Sequence, residues 1–531
     1  MGTTAAGPPE SDTPFSPHEL TSLAFPHPVA SVEVRETNIS WVVLTGSFAY
    51  KIKKSVRLGF IDTSILARRH DLCDEELRLN RRLAKDLYLK VAAITREADG
   101  LRIDGHGQVV EYAVQMKQFD AAQELSVLLE HGKVSSPEFV DLAERLAQFH
   151  GCVPTAPVDY DFPHTRDLHE AVLRNSALLL SHLDADPLVP EITRLIAWTQ
   201  DYLRDSLDQL RSRERRGAIR ECHGDLHSRN VVRWCSQLVP FDCLEFDPKL
   251  RWIDVMNDIA FLVMDLRSQN RKDLAATFLN AYLDRTGDYD GVQHLAFYAV
   301  YRALVRAMVD SLGAQENGAR RQELHSRLQS RVKAGSAYLD RPRPALFIMH
   351  GLSGSGKSWL SERLIPQLEA LRIRSDVERK RVGGFAESID SSDDFQQGLY
   401  RPEITCRTYA RLLECAQSCL TGGFNTIVDA AFLKGKDRSL FRECALRGQW
   451  TFIIVVCRAS HAVLVQRLEQ RSQLHADPSD ADVDILARQP QITEPLDEAE
   501  LAHAITVDTT DPEACQEVFA AIQCRRNSDA G

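Results

Sequence analysis

Two hydrophobic rhythms run along the chain, a period of two near its start and a period of 3.6 through its middle. Ser31-Val-Glu-Val-Arg35, Trp41-Val-Val-Leu44 and Phe48-Ala-Tyr-Lys-Ile52 read as strands, punctuated by the turn formers Asn38 and Gly46. The pattern predicts a helix from about Arg68 to Leu87, a strand run over Val109 to Phe119, and helices through most of 136–219, where Leu142, Leu146 and Phe149 share one face. A short β region covers Val231–Asp242, and helices dominate from Asp254 to about Tyr338.

At Arg341-Pro342-Arg343-Pro344 the rhythm breaks, because prolines at alternate positions forbid a continuing helix. Beyond it, five short apolar strands are expected at Ala345–His350, Ile373–Ser375, Asn425–Val428, Phe452–Val456 and Ala504–Val507. Helices separate them, which predicts an α/β domain with a parallel sheet and right-handed crossovers. The expected division is a disordered tail over 1–18, a first domain over 19–338, a linker over 339–344 and a second domain over 345–531.

Composition narrows the partners. The formal net charge of −11 over 531 residues argues against a duplex nucleic-acid partner, which calls for a basic face. No apolar run approaches the ~18 residues of a membrane helix. The twelve cysteines include no C-x-x-C pair, and the closest couple, Cys415 and Cys419, has no histidine at zinc spacing. Free thiols without a secretory-type start lead to the expectation of a reducing cytoplasm.

The strongest chemical signal is Gly351-Leu-Ser353-Gly354-Ser355-Gly356-Lys357-Ser358, a full G-x-x-x-x-G-K-[ST] between a predicted strand and a helix expected over Trp359–Leu371. Such glycines let backbone N–H groups curl around phosphates, and the helix N-terminus adds positive potential. Lys357 is placed to reach the β/γ oxygens of ATP, and Ser358 to offer its hydroxyl to Mg2+. Asp376 follows the second strand, where ligands gather in such sheets, and is the candidate acceptor of a substrate hydroxyl proton. A helix N-cap is its bland alternative. Arg379 or Arg381 is the candidate holder of a substrate anion. Asp429 ends a strand as a candidate metal carboxylate, and Arg467 and Arg471 are candidate lid arginines over the phosphates. On Gly351–Ser358, Ser375-Asp376 with Arg379, and Val428-Asp429-Ala430, residues 345–510 resemble the zeta-toxin, gluconate-kinase and AAA_33-type kinases. The resemblance implies a P-loop kinase of a small molecule.

The second signal is His223-Gly-Asp225-Leu-His227-Ser-Arg-Asn230, in which Asp225 and Asn230 have the spacing of a kinase catalytic loop. A hairpin over Val231–Phe241 should bring Asn230 beside Asp242, giving two metal ligands with Asp225 as base. Lys51 is the candidate phosphate-binding lysine, with Lys53 the alternative on the same strand face, and Glu76 on the next helix is its expected partner.

These residues resemble the aminoglycoside phosphotransferase family over about 30–335. Its H-G-D-L-H loop is matched by His223-Gly-Asp225, with Asn230 three beyond the second histidine, and its following structural aspartate by Asp258. Two departures stand out: the metal-site strand reads Phe241-Asp242-Cys-Leu-Glu245, and no glycine-rich G-x-G-x-x-G loop precedes Lys51. The resemblance implies an α+β, two-lobed, kinase-like N-terminal domain, so the chain as a whole is similar to bacterial fusions of such a phosphotransferase with a P-loop kinase. The implied activity is bifunctional phosphoryl transfer from ATP with Mg2+ to hydroxyls of small polar metabolites. Two alternatives remain open: an N-terminal nucleotide sensor regulating a single P-loop kinase, or a zeta-toxin-like kinase of a nucleotide sugar.

Overall fold

Period-two alternation builds an antiparallel sheet. The computed structural model describes residues 15–58, 61–156, 164–183, 186–316, 321–384, 401–474 and 483–529. In it, β1 (Glu33–Glu36), β2 (Ser40–Leu44), β3 (Phe48–Lys53), β4 (Tyr88–Glu97), β5 (Gly100–Ile103) and β6 (Gln108–Lys117) pair in the order β1-β2-β3-β6-β4-β5. Alternation along β3 sorts its side chains. Tyr50 and Ile52 enter a core with Trp41, Phe15 and Leu20. Ala49 packs on the other face, where Cys73 of α1 (Leu66–Asn80) lies. Lys51 and Lys53 share the Ala49 face by the same period.

Three sequence expectations need correction here. The tail expected over 1–18 is ordered from Phe15, which is 4% exposed and leads into a short 3-10 helix at Pro17–Ser22; residues 1–14 lie outside the described residues. The helix expected to reach Leu87 ends at Asn80, whose side-chain amide donates to Glu76 O at 2.9 Å while its Oδ1 accepts from the Cys243 N–H at 2.9 Å. The strands β4 and β5, absent from the sequence reading, occupy the stretch that follows.

The chain divides into two compact units, Met1–Leu168 with Asp208–Asp258, and His169–Leu207 with Ile259–Gly531. The first unit also holds α2 (Ser136–Cys152), the pair β7 (Ile219–Glu221) and β10 (Trp252–Asp254), and a hairpin of β8 (Val231–Trp234) and β9 (Gln237–Pro240). The segment expected as a linker lies inside the second unit. There the Arg341 guanidinium stacks on Tyr338 and Phe424, 4.5 and 4.2 Å from their ring centroids.

The second unit contains a five-stranded, fully parallel sheet in the order β12-β13-β11-β14-β15, as its alternating texture predicts. Its strands are β11 (Ala345–His350), β12 (Leu371–Arg374), β13 (Thr426–Asp429), β14 (Thr451–Arg458) and β15 (Ala504–Asp508). Phe347, Met349, Ile453, Val455 and Val507 meet Leu360 and Leu364 of the helix after the P-loop in one dry core. The edge strand β12 does not face solvent alone. Asn280, on α3 (Lys272–Thr286), donates to Ala370 O at 3.0 Å and accepts from the Arg372 N–H at 2.7 Å. One side-chain amide thus imitates the neighbouring strand that an edge otherwise lacks.

Candidate active sites

In the first unit, two residues of one β3 face meet three carboxylates. Lys51 Nζ lies 2.9 Å from Glu76 Oε1 and 2.5 Å from Asp242 Oδ1. Lys53 Nζ bonds both Glu76 and Glu245. Glu76 therefore accepts from both lysines and is fully buried, whereas the Asp242 side chain is 40% exposed. Burial opposes the charge on Lys51, but Asp242 and Glu76 outweigh it and hold its pKa well above the ordinary lysine value. Burial pushes the Glu245 carboxyl up in spite of Lys53.

The loop 223–230 is shaped by its neighbours. Asp258 accepts from the His223 N–H at 3.1 Å and the Gly224 N–H at 2.9 Å, and His150 Nε2 lies 3.2 Å from it. Burial works against that anion, but His150 and His223 keep its pKa below the usual value. Burial also works against a charged His223, yet Cys243 and Asp258 raise its pKa to about 9. Gly224 has φ +86°, and a Cβ there would come within 2.7 Å of Leu250 O. No side chain fits between His223 and Asp225. Asn230 Nδ2 donates to Asp225 Oδ2 at 2.9 Å, and His227 Nε2 is 3.3 Å from the same carboxylate. The β8–β9 hairpin closes with the Phe241 N–H on Asn230 O at 2.9 Å, which places Asn230 next to the start of the Asp242 segment. Asp242 has φ +62° and its N–H donates to Tyr88 Oη at 3.2 Å.

In the second unit, the P-loop joins β11 to α4 (Lys357–Leu368). Gly356 is the helix N-cap at φ +84°, and a Cβ there would lie 2.7 Å from Thr509 Oγ1. Lys357 Nζ donates to Leu352 O at 2.8 Å, curled over its own loop. Ser353 donates its N–H to Gln489 Oε1 at 2.7 Å, and Ser355 is buried. Arg467 donates to Gly354 O at 3.3 Å and to Thr509 Oγ1 at 2.9 Å, which places it on the P-loop backbone. Arg471 is on α7 (His461–Leu474), and its side chain lies outside the described residues.

The parallel register sets Arg374 opposite Asp429, so Asp429 and the start of α5 (Ser375–Gly383) stand together at the carboxyl ends of β13 and β12. Asp429 is 5% exposed and accepts from Ser361 Oγ at 3.0 Å. Asp376 accepts from Arg374 Nη2 at 3.2 Å. The N-cap of α5 is Arg374, while Asp376, at its second position, accepts from the Val377 N–H at 2.9 Å. Arg379 donates to Thr405 Oγ1 at 3.1 Å on α6 (Pro402–Thr421). Arg381, offered by the sequence as an anion holder, is engaged elsewhere. It pairs with Glu378 and donates to Asp284 O of α3 at 2.9 Å. These bonds occupy its fork, although its side chain is 29% exposed.

The first arrangement lies in a kinase-like fold and the second in a P-loop fold with a five-stranded parallel sheet. Residues 61–295 match the phosphotransferase enzyme family and residues 346–496 an AAA domain, in that order along the chain. The chain thus matches both family models in one polypeptide, and together they support a kinase or phosphotransferase. An uncharacterised protein of Mycobacterium tuberculosis (strain ATCC 25618 / H37Rv) is 28% identical over 475 residues, spanning 88% of this chain and 91% of its own. An uncharacterised protein of Mycobacterium bovis shows the same identity and coverage. Among solved structures, a gluconokinase from Sinorhizobium meliloti 1021 is 22% identical, covering 35% of this chain and 97% of its own at a TM-score of 0.25. A choline/ethanolamine kinase family protein from Mesorhizobium loti is 14% identical, covering 59% of this chain and 89% of its own at a TM-score of 0.34. No helix among the described residues is long and apolar enough to cross a membrane.

The sequence reading missed several residues that shape these sites. Glu245 was visible only as a departure from the family's metal-site strand. Tyr88 and Gln489 carry no spacing signal, because each reaches its site from a separate element, and Ser361 on α4 shows its role only through Asp429 of β13.

Proposed function

We propose that the chain is a bifunctional ATP-dependent phosphotransferase, each module transferring the γ-phosphate of ATP to a hydroxyl of a small polar metabolite. The observation that carries this reading is the pair of complete base-and-phosphate sets. Lys51 held by Glu76 and Asp242 accompanies Asp225 bonded to Asn230 in one module, and the P-loop accompanies Asp376 and Asp429 in the other.

In the first module, Lys51 is presented by its two carboxylates as a fixed cation for ATP phosphates. Asp225, oriented by Asn230 and His227, accepts the proton of the attacking hydroxyl. Asn230 and Asp242 supply hard oxygen donors at adjacent positions, a set that fits Mg2+. In the second module, the amides of Gly354, Ser355 and Gly356 cradle the phosphates and Lys357 turns from Leu352 O toward them. Ser358 and Asp429 would hold the metal, Asp429 being oriented by Ser361. Asp376 accepts the substrate proton, Arg379 holds an anionic substrate group, and Arg467 with Arg471 offsets charge on the transferring phosphoryl. Bound magnesium supplies neutralisation of phosphate charge in both sites.

The full chain incubated with γ-labelled ATP and a fractionated pool of polar metabolites tests this. Two labelled products are expected: one lost in Asp225→Asn by ~10²–10⁴-fold, the other lost in Lys357→Ala. A single product, untouched by Asp225→Asn but changed in rate by nucleotide binding at the first module, would replace this reading with the sensor. A labelled nucleotide sugar as the second product would select the toxin-like reading of the P-loop module.

A further inference from the structure

The carboxylate of Asp284 sits where α3 meets the P-loop domain and serves no function derived above. It is not on the P-loop domain by sequence, since it precedes β11 by a long stretch of helix. Arg372 Nη2 of β12 lies 3.9 Å from Asp284 Oδ2. Tyr289 Oη donates to Asp284 Oδ1 at 3.4 Å and to Arg372 O at 3.3 Å. From α5, Arg381 donates to the backbone O of Asp284 at 2.9 Å. Arg374 and Asp376 are close enough to act on the charge of Asp284, the first favouring it and the second opposing it.

The two arginines lead in different directions. Arg372 Nη1 donates to Ser358 O at 3.4 Å, in the first turn of α4 that carries the P-loop lysine and serine. Arg374 Nη2 donates to Asp376 Oδ2 at 3.2 Å, in the first turn of α5. One carboxylate from outside the P-loop domain thus lies beside Arg372 and within charge range of Arg374, the two cations that touch its site segments. Two guanidiniums on neighbouring same-face positions of one strand repel, and Asp284 adds to Asp376 an anion that offsets this in a buried setting.

We infer that Asp284 is a positioning residue of the P-loop site, holding Arg372 and Arg374 so that the first turns of α4 and α5 keep the geometry needed for transfer. The inference rests on the proposed reading of Asp376 as base. It makes the P-loop site dependent on a helix of the preceding half of the chain.

The full chain carrying Asp225→Asn, which silences the first module, is the parent for the test. Two readouts are taken: magnesium-dependent ADP release from ATP with water as acceptor, and amide hydrogen exchange in the first turns of α4 and α5. Asp284→Asn is expected to lower kcat by roughly ten- to a hundredfold with KM for ATP nearly unchanged, to speed exchange at both turns, and to be rescued in both by Asp284→Glu. Asn280→Ala, which breaks only the amide pairing of the β12 edge, is expected to leave both turns as in the parent. Exchange at the two turns unchanged in Asp284→Asn, or the same pattern produced by Asn280→Ala, would overturn the inference. Asp376→Asn measured alongside separates the two claims. If it keeps parental turnover, the base reading fails whatever Asp284 does; if it alone abolishes turnover, only the inference about Asp284 fails.

Discussion

Single side chains decide the first site. Lys53 is buried at 1% exposure between Glu76 and Glu245, so two carboxylates of the interior depend on it. Lys53→Met leaves Glu245 a buried carboxylate without its cation, and breaking such a pair costs about 3–5 kcal/mol. Urea denaturation should show that loss, and Lys53→Met with Glu245→Leu should recover most of it; a double variant as unstable as the single one would mean that the buried Glu245 is not the source of the loss. In the P-loop module, Asp376→Asn is expected to lower transfer by ~10²–10⁴-fold while ATP affinity and the melting temperature stay put. The melt matters because Arg374 is the N-cap of α5 and gives no side-chain cap bond. A large drop in melting temperature would hand Asp376 a structural task instead. Lys51, Glu76, Asp225, Asn230 and Asp242 could be singled out from sequence because kinase-like loops impose spacings and chain order on them. Glu245 and Tyr88 could not, because nothing near them in sequence records which strand they will face.

Elements carry the next level of detail. The strand and helix alternation after Pro344 produced the parallel sheet expected of it, because β-rich runs of that length have few other ways to bury both faces. The end of α1 was misjudged because apolar residues continue past Asn80 at helical spacing. A side chain that bonds Glu76 O and the Cys243 N–H stops the helix by tertiary contact. Equally invisible was α3 as the cover of β12, since Asn280 and Asp284 look like ordinary polar positions of an amphipathic helix. Asp284 offers a prediction with a definite sign. Burial raises its pKa from 3.8 to about 6, against Arg372 and Arg374. A carboxyl raised on folding contributes its full stability below the unfolded value, and that contribution is lost as pH rises through about 6. Asp284→Asn carries no charge at any pH. Its melting temperature relative to the parent should therefore be higher at pH 7.5 than at pH 5. A difference that is flat or falls with pH would mean that Arg372 and Arg374, together with Tyr289 and Arg381, outweigh burial.

At the scale of the whole molecule, the boundary expected from Arg341–Pro344 is a boundary of motifs and not of packing. Arg341 stacks on Phe424, Gly422 approaches the backbone of Val292, and Arg411 donates to Gly287 O at 2.9 Å. Prolines in a sequence report where a helix must stop, but not whether the elements on either side share a core. A 340–531 fragment loses α3 and bares the edge of β12, and exposed edges pair with other chains. Size-exclusion chromatography should find it self-associated, while a fragment extended back to 259, which restores α3 over the β12 edge, should be markedly less so. A monomeric 340–531 fragment with unchanged melting would contradict that packing account.

The central claim is that one chain builds two separate ATP sites. Calorimetric titration of the full chain with a non-hydrolysable ATP analogue and magnesium tests it most directly. The account predicts two nucleotides bound per wild-type chain, one per chain in Lys357→Ala, one in Lys51→Met, and none in the double variant. A single nucleotide per wild-type chain, or a Lys51→Met variant that still binds two, would contradict it.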